Sequence, residues 1–376
     1  MSHGILKFRI LFGHFLFALV VNTHQPMLPV LQRNLDISIG QSSLIPATIT
    51  MMVLVANLVV GVLIARLGQK TVFIAAVILG IGGALLVSAA SGFLLIILAF
   101  AMIGLATGSA FTSLTTMYAG LPEEMQNFGL YHAFFGLGGM VAPLLLGTWI
   151  RLEWSYEWLF VFYAGLYVLL LILSLASRSM KNTKFSDFKL ADVGQVFRTP
   201  VVLLGASALG LYAAVEIGST TWSSNMSIDG YGIDPADASF ILSGFWLMFT
   251  LIRLFADRAA RKFGPIHVVS ALTALAGAVV LAWVLGASPY IFILLGALYG
   301  PVFPIIQKYV NNHLPARQKG LFNGISYAAT SLITTGILPV MGFIGDYRMS
   351  LAFVPTLVCI VMLMAVARAL RKKAGV

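Results

Sequence analysis

The chain has 376 residues, 59% of them hydrophobic and 10% charged, and its mean hydropathy is +0.95. A soluble domain carries about 25% charged residues, so this composition excludes a water-soluble globule and indicates an integral membrane protein. The net charge of +10 raises nucleic acid as a partner, and the placement of the charges along the chain decides that question.

A membrane-crossing helix needs about 20 mostly apolar residues. In chain order this length predicts twelve spans, over 8–31, 43–65, 71–90, 93–118, 129–150, 156–177, 201–226, 236–256, 265–286, 288–309, 318–342 and 349–369. The opening KFRILFGHFLFALVV resembles the basic start and apolar core of a signal peptide. Apolar sequence continues to Leu31 with no small-x-small cleavage site, so it reads as a retained first span. The longest connection runs from Ser177 to Pro200 and separates two sets of six spans. The expected organisation is an N-terminal six-helix bundle over 1–177, a cytoplasmic linker over 178–200 and a C-terminal six-helix bundle over 201–376.

Basic residues give the expected orientation. With both termini cytoplasmic, only Arg33, Arg151 and Arg348 among the 23 Lys and Arg fall on the opposite side, the bias expected of a multi-pass protein in the cell membrane. The positive charge then faces anionic lipid, and nucleic acid is left without a role. The lipid bilayer is the expected partner.

The two halves echo each other. GVLIARLGQK (61–70) follows the second span and RLFADRAARKFGP (253–265) the eighth; both are short, basic and glycine-containing. Twelve spans in two related halves is a layout used by transporters built from parallel repeats. The lone cysteine, Cys359, lies in an apolar run and reads as a buried structural thiol. Paired carboxylates, metal-ligand clusters, Walker loops and nucleophile elbows are all missing from the sequence, so neither an enzyme nor a cofactor is expected.

On these residues the chain resembles the major facilitator superfamily. GVLIARLGQK is similar to that family's signature between spans two and three, with Ala65 where an acid is usual. LYHAFFGLGGMVAPLLLG (130–147), YAAVEIGSTTW (212–222), FWLMFTLIRLFADR (245–258) and GALYGPVFPII (296–306) resemble the fucose–galactose–glucose:proton symporter branch. The resemblance implies an all-α fold of twelve transmembrane helices in two pseudo-symmetric six-helix bundles. It also implies alternating access around one central site lined by helices one, four, seven and ten, and symport of a sugar or polyol with a proton. The fucose permease carries membrane carboxylates on its first and fourth helices. Here the first span offers Asn22, His24 and Gln25 and the fourth offers hydroxyls such as Thr107 and Ser109, so that pattern is not reproduced.

Of the 13 Asp and Glu, Glu216 alone falls in the interior of a predicted span; Glu157 and Asp237 sit at the outer ends of theirs. Burying an ionised carboxylate there costs several kcal/mol, about 3 by insertion scales, which disfavours its charged form. Such a group can load and release a proton as a cavity alternates between aqueous sides. The alternative is a structural hydrogen bond to a neighbouring helix. Tyr212, Glu216 and Thr220 share one helical face at i, i+4, i+8, with Ser219 beside them. Trp222 lies nearer the helix end, where an aromatic ring also serves as an interface anchor.

On the first span, Asn22 and Gln25 are candidate ligand contacts or helix–helix hydrogen-bonders, and His24 is a second candidate proton carrier. Pro26 frees a backbone carbonyl one turn earlier. In the tenth span Tyr299, Phe303 and Gln307 repeat the i, i+4, i+8 spacing, and Gly300, Pro301 and Pro304 suggest a hinge. In the eleventh, Asn323 and Tyr327 are i, i+4. Rings that stack on a sugar's C–H face beside amides that bond its hydroxyls would form a suitable pocket, although aromatic residues are common in any membrane core. His132 reads as a structural hydrogen-bonder. Arg253, Arg258, Arg261 and Lys262 read as a cytoplasmic gate and lipid-facing charge.

The expected function is secondary transport by alternating access of a small polar solute, a sugar or polyol, with protons. The alternative is a proton-coupled exporter of amphipathic or cationic compounds, since the glycine-rich fifth span resembles a drug–proton antiporter motif. Either way the partners are a small-molecule substrate and protons. One chain supplies both halves, so a monomer suffices.

Overall fold

The computed structural model describes residues 2–177 and 199–373, so nearly all of the expected linker lies outside the described residues. Sixteen α-helices follow one another there, with no strand among the described residues. They are α1 Ser2–Asn22, α2 His24–Leu35, α3 Ile39–Ser42, α4 Leu44–Leu67, α5 Gln69–Ala89, α6 Phe93–Ala119, α7 Phe128–Arg151 and α8 Tyr156–Leu175. The series continues with α9 Pro200–Asn225, α10 Pro235–Arg253, α11 Ala256–Phe263, α12 Pro265–Val284, α13 Phe292–Tyr299, α14 Val302–Asn312, α15 Ala316–Tyr347 and α16 Val354–Lys373. Apart from the short α11, they form, singly or as end-to-end pairs, twelve segments long and apolar enough to cross a membrane. Helices suit that setting because hydrocarbon offers no partner to a backbone N–H or C=O, and a helix pairs them internally.

The chain forms two compact units. One takes the chain up to Asp36 and resumes at Leu44; the other takes Ile37–Ser43 together with everything described from Thr199 onward.

Several boundaries depart from the length rule, each for a local reason. The first span is interrupted at Thr23, between α1 and α2. Pro26 and Pro29 cannot donate to the carbonyls of Asn22 and Gln25, so the ladder fails there and the helix restarts with Pro26 in its first turn. The tenth span breaks between α13 and α14 at Gly300 and Pro301. The eighth stops at Arg253 instead of 256, and the basic residues beyond it ride on the separate short helix α11. The eleventh continues past 342 to Tyr347. Its last turn carries Asp346, whose carboxylate accepts from Ser38 Oγ and the Gly40 N–H, so an acid is accommodated where the sequence suggested a helix end.

The echo between the halves has a backbone counterpart. Gly68, between α4 and α5, has φ +87°, and Gly264, between α11 and α12, has φ +85°. Glycine meets this requirement without steric cost. Beside the first of these turns, Lys70 Nζ donates to Ser177 O at 2.9 Å, tying α5 to the end of α8. Gly138 of the glycine-rich fifth span lets α7 approach α1 to backbone distance: a Cβ there would lie 2.8 Å from Phe15 O and Leu19 N. Its small residue is therefore explained by packing.

Candidate functional site

In the second unit a set of buried polar groups is arranged about Glu216. Glu216 is 9% exposed and lies in the second half of α9. The phenol of Tyr212, one turn earlier, is within hydrogen-bonding reach of it, and the Arg253 guanidinium on α10 acts on it electrostatically. Tyr212 donates its O–H to Tyr299 O at 2.9 Å. Arg253 Nε donates to Gly300 O, also at 2.9 Å, with its guanidinium 4.0 Å above the Phe249 ring. Arg253 is half-buried with its guanidinium turned onto this unit, which departs from the lipid-facing part of its reading as gate and lipid-facing charge. The Gly300 carbonyl needs such a donor because the residue four positions on is Pro304, which has no N–H.

Around this centre, Ser219 Oγ and the Tyr299 hydroxyl are 3.2 Å apart. Thr220 turns its hydroxyl back onto its own helix, donating to Glu216 O at 3.0 Å, so its spacing puts it on the right face while its proton stays local. The rings of Tyr212 and Phe303 lie 5.9 Å apart, and those of Phe303 and Tyr327 6.1 Å apart, which carries the strip from α9 across α14 to α15. Tyr327 is 40% exposed, whereas Tyr212 and Tyr299 are buried. Gln307 Nε2 and Asn311 Nδ2 both donate to Asn323 Oδ1, at 3.3 and 3.1 Å. The structure thus gathers Tyr212, Glu216, Tyr299, Gln307, Asn323 and Tyr327 along one polar and aromatic strip.

Of the side chains that join that strip, Asn311 was missed in the sequence and Arg253 was given another role. Asn311 lies i+4 from Gln307, so the spacing used for its neighbours would have found it. Arg253 could have been found by asking which donor replaces the N–H that Pro304 lacks. Trp222, a candidate interface anchor, is fully buried and lies against Gly342.

The first unit has a smaller polar cluster at the break between α1 and α2. Asn22 Nδ2 donates to Ala18 O at 2.8 Å, and Gln25 Nε2 donates to Asn22 Oδ1 at 3.4 Å; the i, i+3 pair does face one way. His24 is buried, with Nδ1 2.5 Å from Val21 O and no partner for Nε2 among the described residues. Thr23 was overlooked. Its hydroxyl donates to Leu19 O at 2.9 Å and lies 3.0 Å from the Tyr163 hydroxyl, linking the break to α8. His132 is exposed and stacks edge-on with Tyr131.

Two open surface cavities lie apart from both clusters. One, of about 480 Å³, is lined by Trp149, Glu153, Trp154, Ser155 and Trp158. The other, of about 530 Å³, lies among Met226, Asp229, Gly286, Tyr347 and Arg348. No group of His, Cys, Asp and Glu suited to a metal ion occurs among the described residues.

Twelve apolar spans and buried polar clusters at broken helices define a multi-pass membrane transporter. The chain belongs to the Major Facilitator Superfamily, whose family model matches residues 10–339. It is 25% identical over 342 residues to the quinolone resistance protein NorA of Staphylococcus aureus (strain MSSA476), covering 86% of each chain. Among solved structures it is similar to a bacterial homolog of the human lysosomal transporter Spinster, with a TM-score of 0.81 at 11% identity, covering 99% of this chain and 98% of that one. It is also similar to the E. coli fucose:proton symporter FucP, with a TM-score of 0.67 at 19% identity, covering 98% and 99%. At such identities the structural likenesses speak for the fold alone.

Proposed function

We propose that this chain is a proton-coupled secondary transporter of a small, neutral, polar solute, a sugar or polyol, working by alternating access in the cell membrane with both termini cytoplasmic. The observation that carries the reading is Glu216: a buried carboxyl in mid-span, beside Tyr212 and under the influence of Arg253. A carboxyl so placed is costly unless it serves a function, and a proton is the smallest cargo that its chemistry can load and release.

The character of the surroundings favours a neutral solute. Arg253 offsets the charge of an ionised Glu216, so the pair offers little net attraction to a cation. Within the second unit Gln307, Asn311 and Asn323 supply amide donors and acceptors and Phe303 and Tyr327 supply ring faces, the combination that polyhydroxylated molecules use; the first unit's own cluster offers the amides of Asn22 and Gln25. In this reading Glu216 carries the proton, and His24, with an unpartnered ring nitrogen, is a second carrier. Tyr212, Tyr299, Gln307, Asn323, Tyr327, Asn22 and Gln25 contact the solute, with Thr220 shaping the wall. The bundles 1–177 and 201–376 are the moving bodies, joined by 178–200, and one chain suffices.

A second reading, proton-coupled export of amphipathic or cationic compounds, is favoured by the similarity to NorA over most of both chains. Proteoliposomes separate the two. Uptake driven by an inward proton gradient and competed by hexoses or polyols supports the first reading. Proton release elicited by lipophilic cations, with no response to sugars, supports the second and contradicts the first.

A further inference from the structure

The break in the tenth span leaves two successive carbonyls, Tyr299 O and Gly300 O, each held by a side chain from another helix. Tyr212 of α9 donates to the first and Arg253 of α10 to the second. These are the same two groups that act on Glu216. A phenol has one proton to donate. While that proton is committed to Tyr299 O, Tyr212 offers Glu216 only its lone pairs, an arrangement that suits the neutral acid, which can donate to them.

We propose that Tyr212 and Arg253 are positioning residues that convert the charge state of Glu216 into the conformation of the helix break at Tyr299–Pro301. The inference rests on the proton-carrying role proposed for Glu216. When the carboxyl gives its proton to water, the carboxylate becomes a stronger acceptor than a peptide carbonyl. The Tyr212 O–H then turns from Tyr299 O to Glu216, and the Arg253 guanidinium is drawn the same way. Both carbonyls lose their donors together, and the break opens. Protonation reverses each step.

The groups facing Glu216 are few. Tyr212 does so from α9, Arg253 from α10 and Tyr299 from α13. The close contacts that α15 and α16 make with the α9 glycines are uncharged: Ala329 and Ile333 at Gly210, and Met341 and Thr356 at Gly218. The break is also well placed to pass on a movement. Gly296 and Gly300 pack against the backbone of Phe245 and Phe249 on α10, so close that a Cβ at Gly300 would lie 2.5 Å from Phe249 O.

The test needs no substrate. Purified protein in lipid nanodiscs is followed against pH by infrared spectroscopy of its carboxyl groups and by hydrogen exchange of the peptide covering 295–306, corrected for intrinsic pH dependence. In the wild type, exchange is expected to rise severalfold as the carboxyl band removed by Glu216→Gln titrates away. Tyr212→Phe, which leaves Tyr299 O without its donor, is expected to exchange fast at every pH, and Glu216→Gln slowly at every pH. If the band titrates while wild-type exchange stays flat, or if Tyr212→Phe keeps the wild-type response, the relay is overturned and Glu216 keeps its coupling role. If no carboxyl band assigned to Glu216 titrates, the relay and the proton-carrying role fail together.

Discussion

The carboxylate of Asp346 is bonded to the start of the short helix Ile39–Ser42, accepting from Ser38 Oγ at 2.9 Å and from the Gly40 N–H at 3.0 Å. Ser38 in turn caps that helix, accepting from Gln41 N, while the Gln41 side chain accepts from the Ser38 N–H. Seven residues lying between two helices of the first unit are thereby built into the second.

Asp346→Ala removes the acceptor for both donors and leaves the capping box intact. Hydrogen exchange should rise severalfold over 37–43 and stay unchanged in α9. Gly40→Ala should act more strongly, because a Cβ there meets Asp346 and the Phe343 ring. Unchanged protection in both variants would contradict this role for Asp346.

Gly296 is where α13 and α10 touch backbone to backbone, its missing Cβ facing Phe245 O. Overfilling a packed site costs about 1–3 kcal/mol, so Gly296→Ala should lower the detergent melting temperature by several degrees. Gly61→Ala on α4, where a Cβ meets nothing within 4 Å, should leave it unaffected. Equal melting of the two variants would argue against the close approach.

Asn323 receives both Gln307 and Asn311 on a single oxygen. Hydrogen bonds between membrane helices average about 0.6 kcal/mol each, so Asn323→Ala should cost about 1 kcal/mol of stability. If Asn323 also contacts the solute, as proposed, the variant should lose far more in transport affinity than in melting temperature. A parallel loss of both would assign it to packing alone.

The twelve spans were legible because crossing hydrocarbon imposes one length and one composition on every helix, and neither depends on the neighbours. The freed carbonyl before Pro26 and the hinge at Gly300–Pro301 were legible because proline's missing N–H is a local fact; that the first span breaks outright at Thr23 was not. Helical spacing also put Tyr212 and Glu216 on one face, whereas the meeting of Gln307 with Asn323 joins two helices and was not legible. What the sequence concealed were long-range relationships. Thr220 shares the face of Glu216, but its choice of a carbonyl on its own helix depends on a rotamer. Arg253 sits near a basic run that does face outward, and only the packing of α10 on α13 turns it to Gly300. The departure of residues 37–43 from their sequence neighbours depends on Asp346, 308 residues beyond Ser38 and 306 beyond Gly40.

The central claim is that Glu216 carries the coupling proton. Solute-dependent proton movement in proteoliposomes measures this directly, comparing wild type with Glu216→Gln using the best substrate from the sugar and polyol panel. The wild type is expected to move protons together with solute and to accumulate solute against its gradient. The variant should exchange solute at equilibrium with no proton movement and no accumulation. Undiminished proton-driven accumulation in Glu216→Gln would contradict the claim.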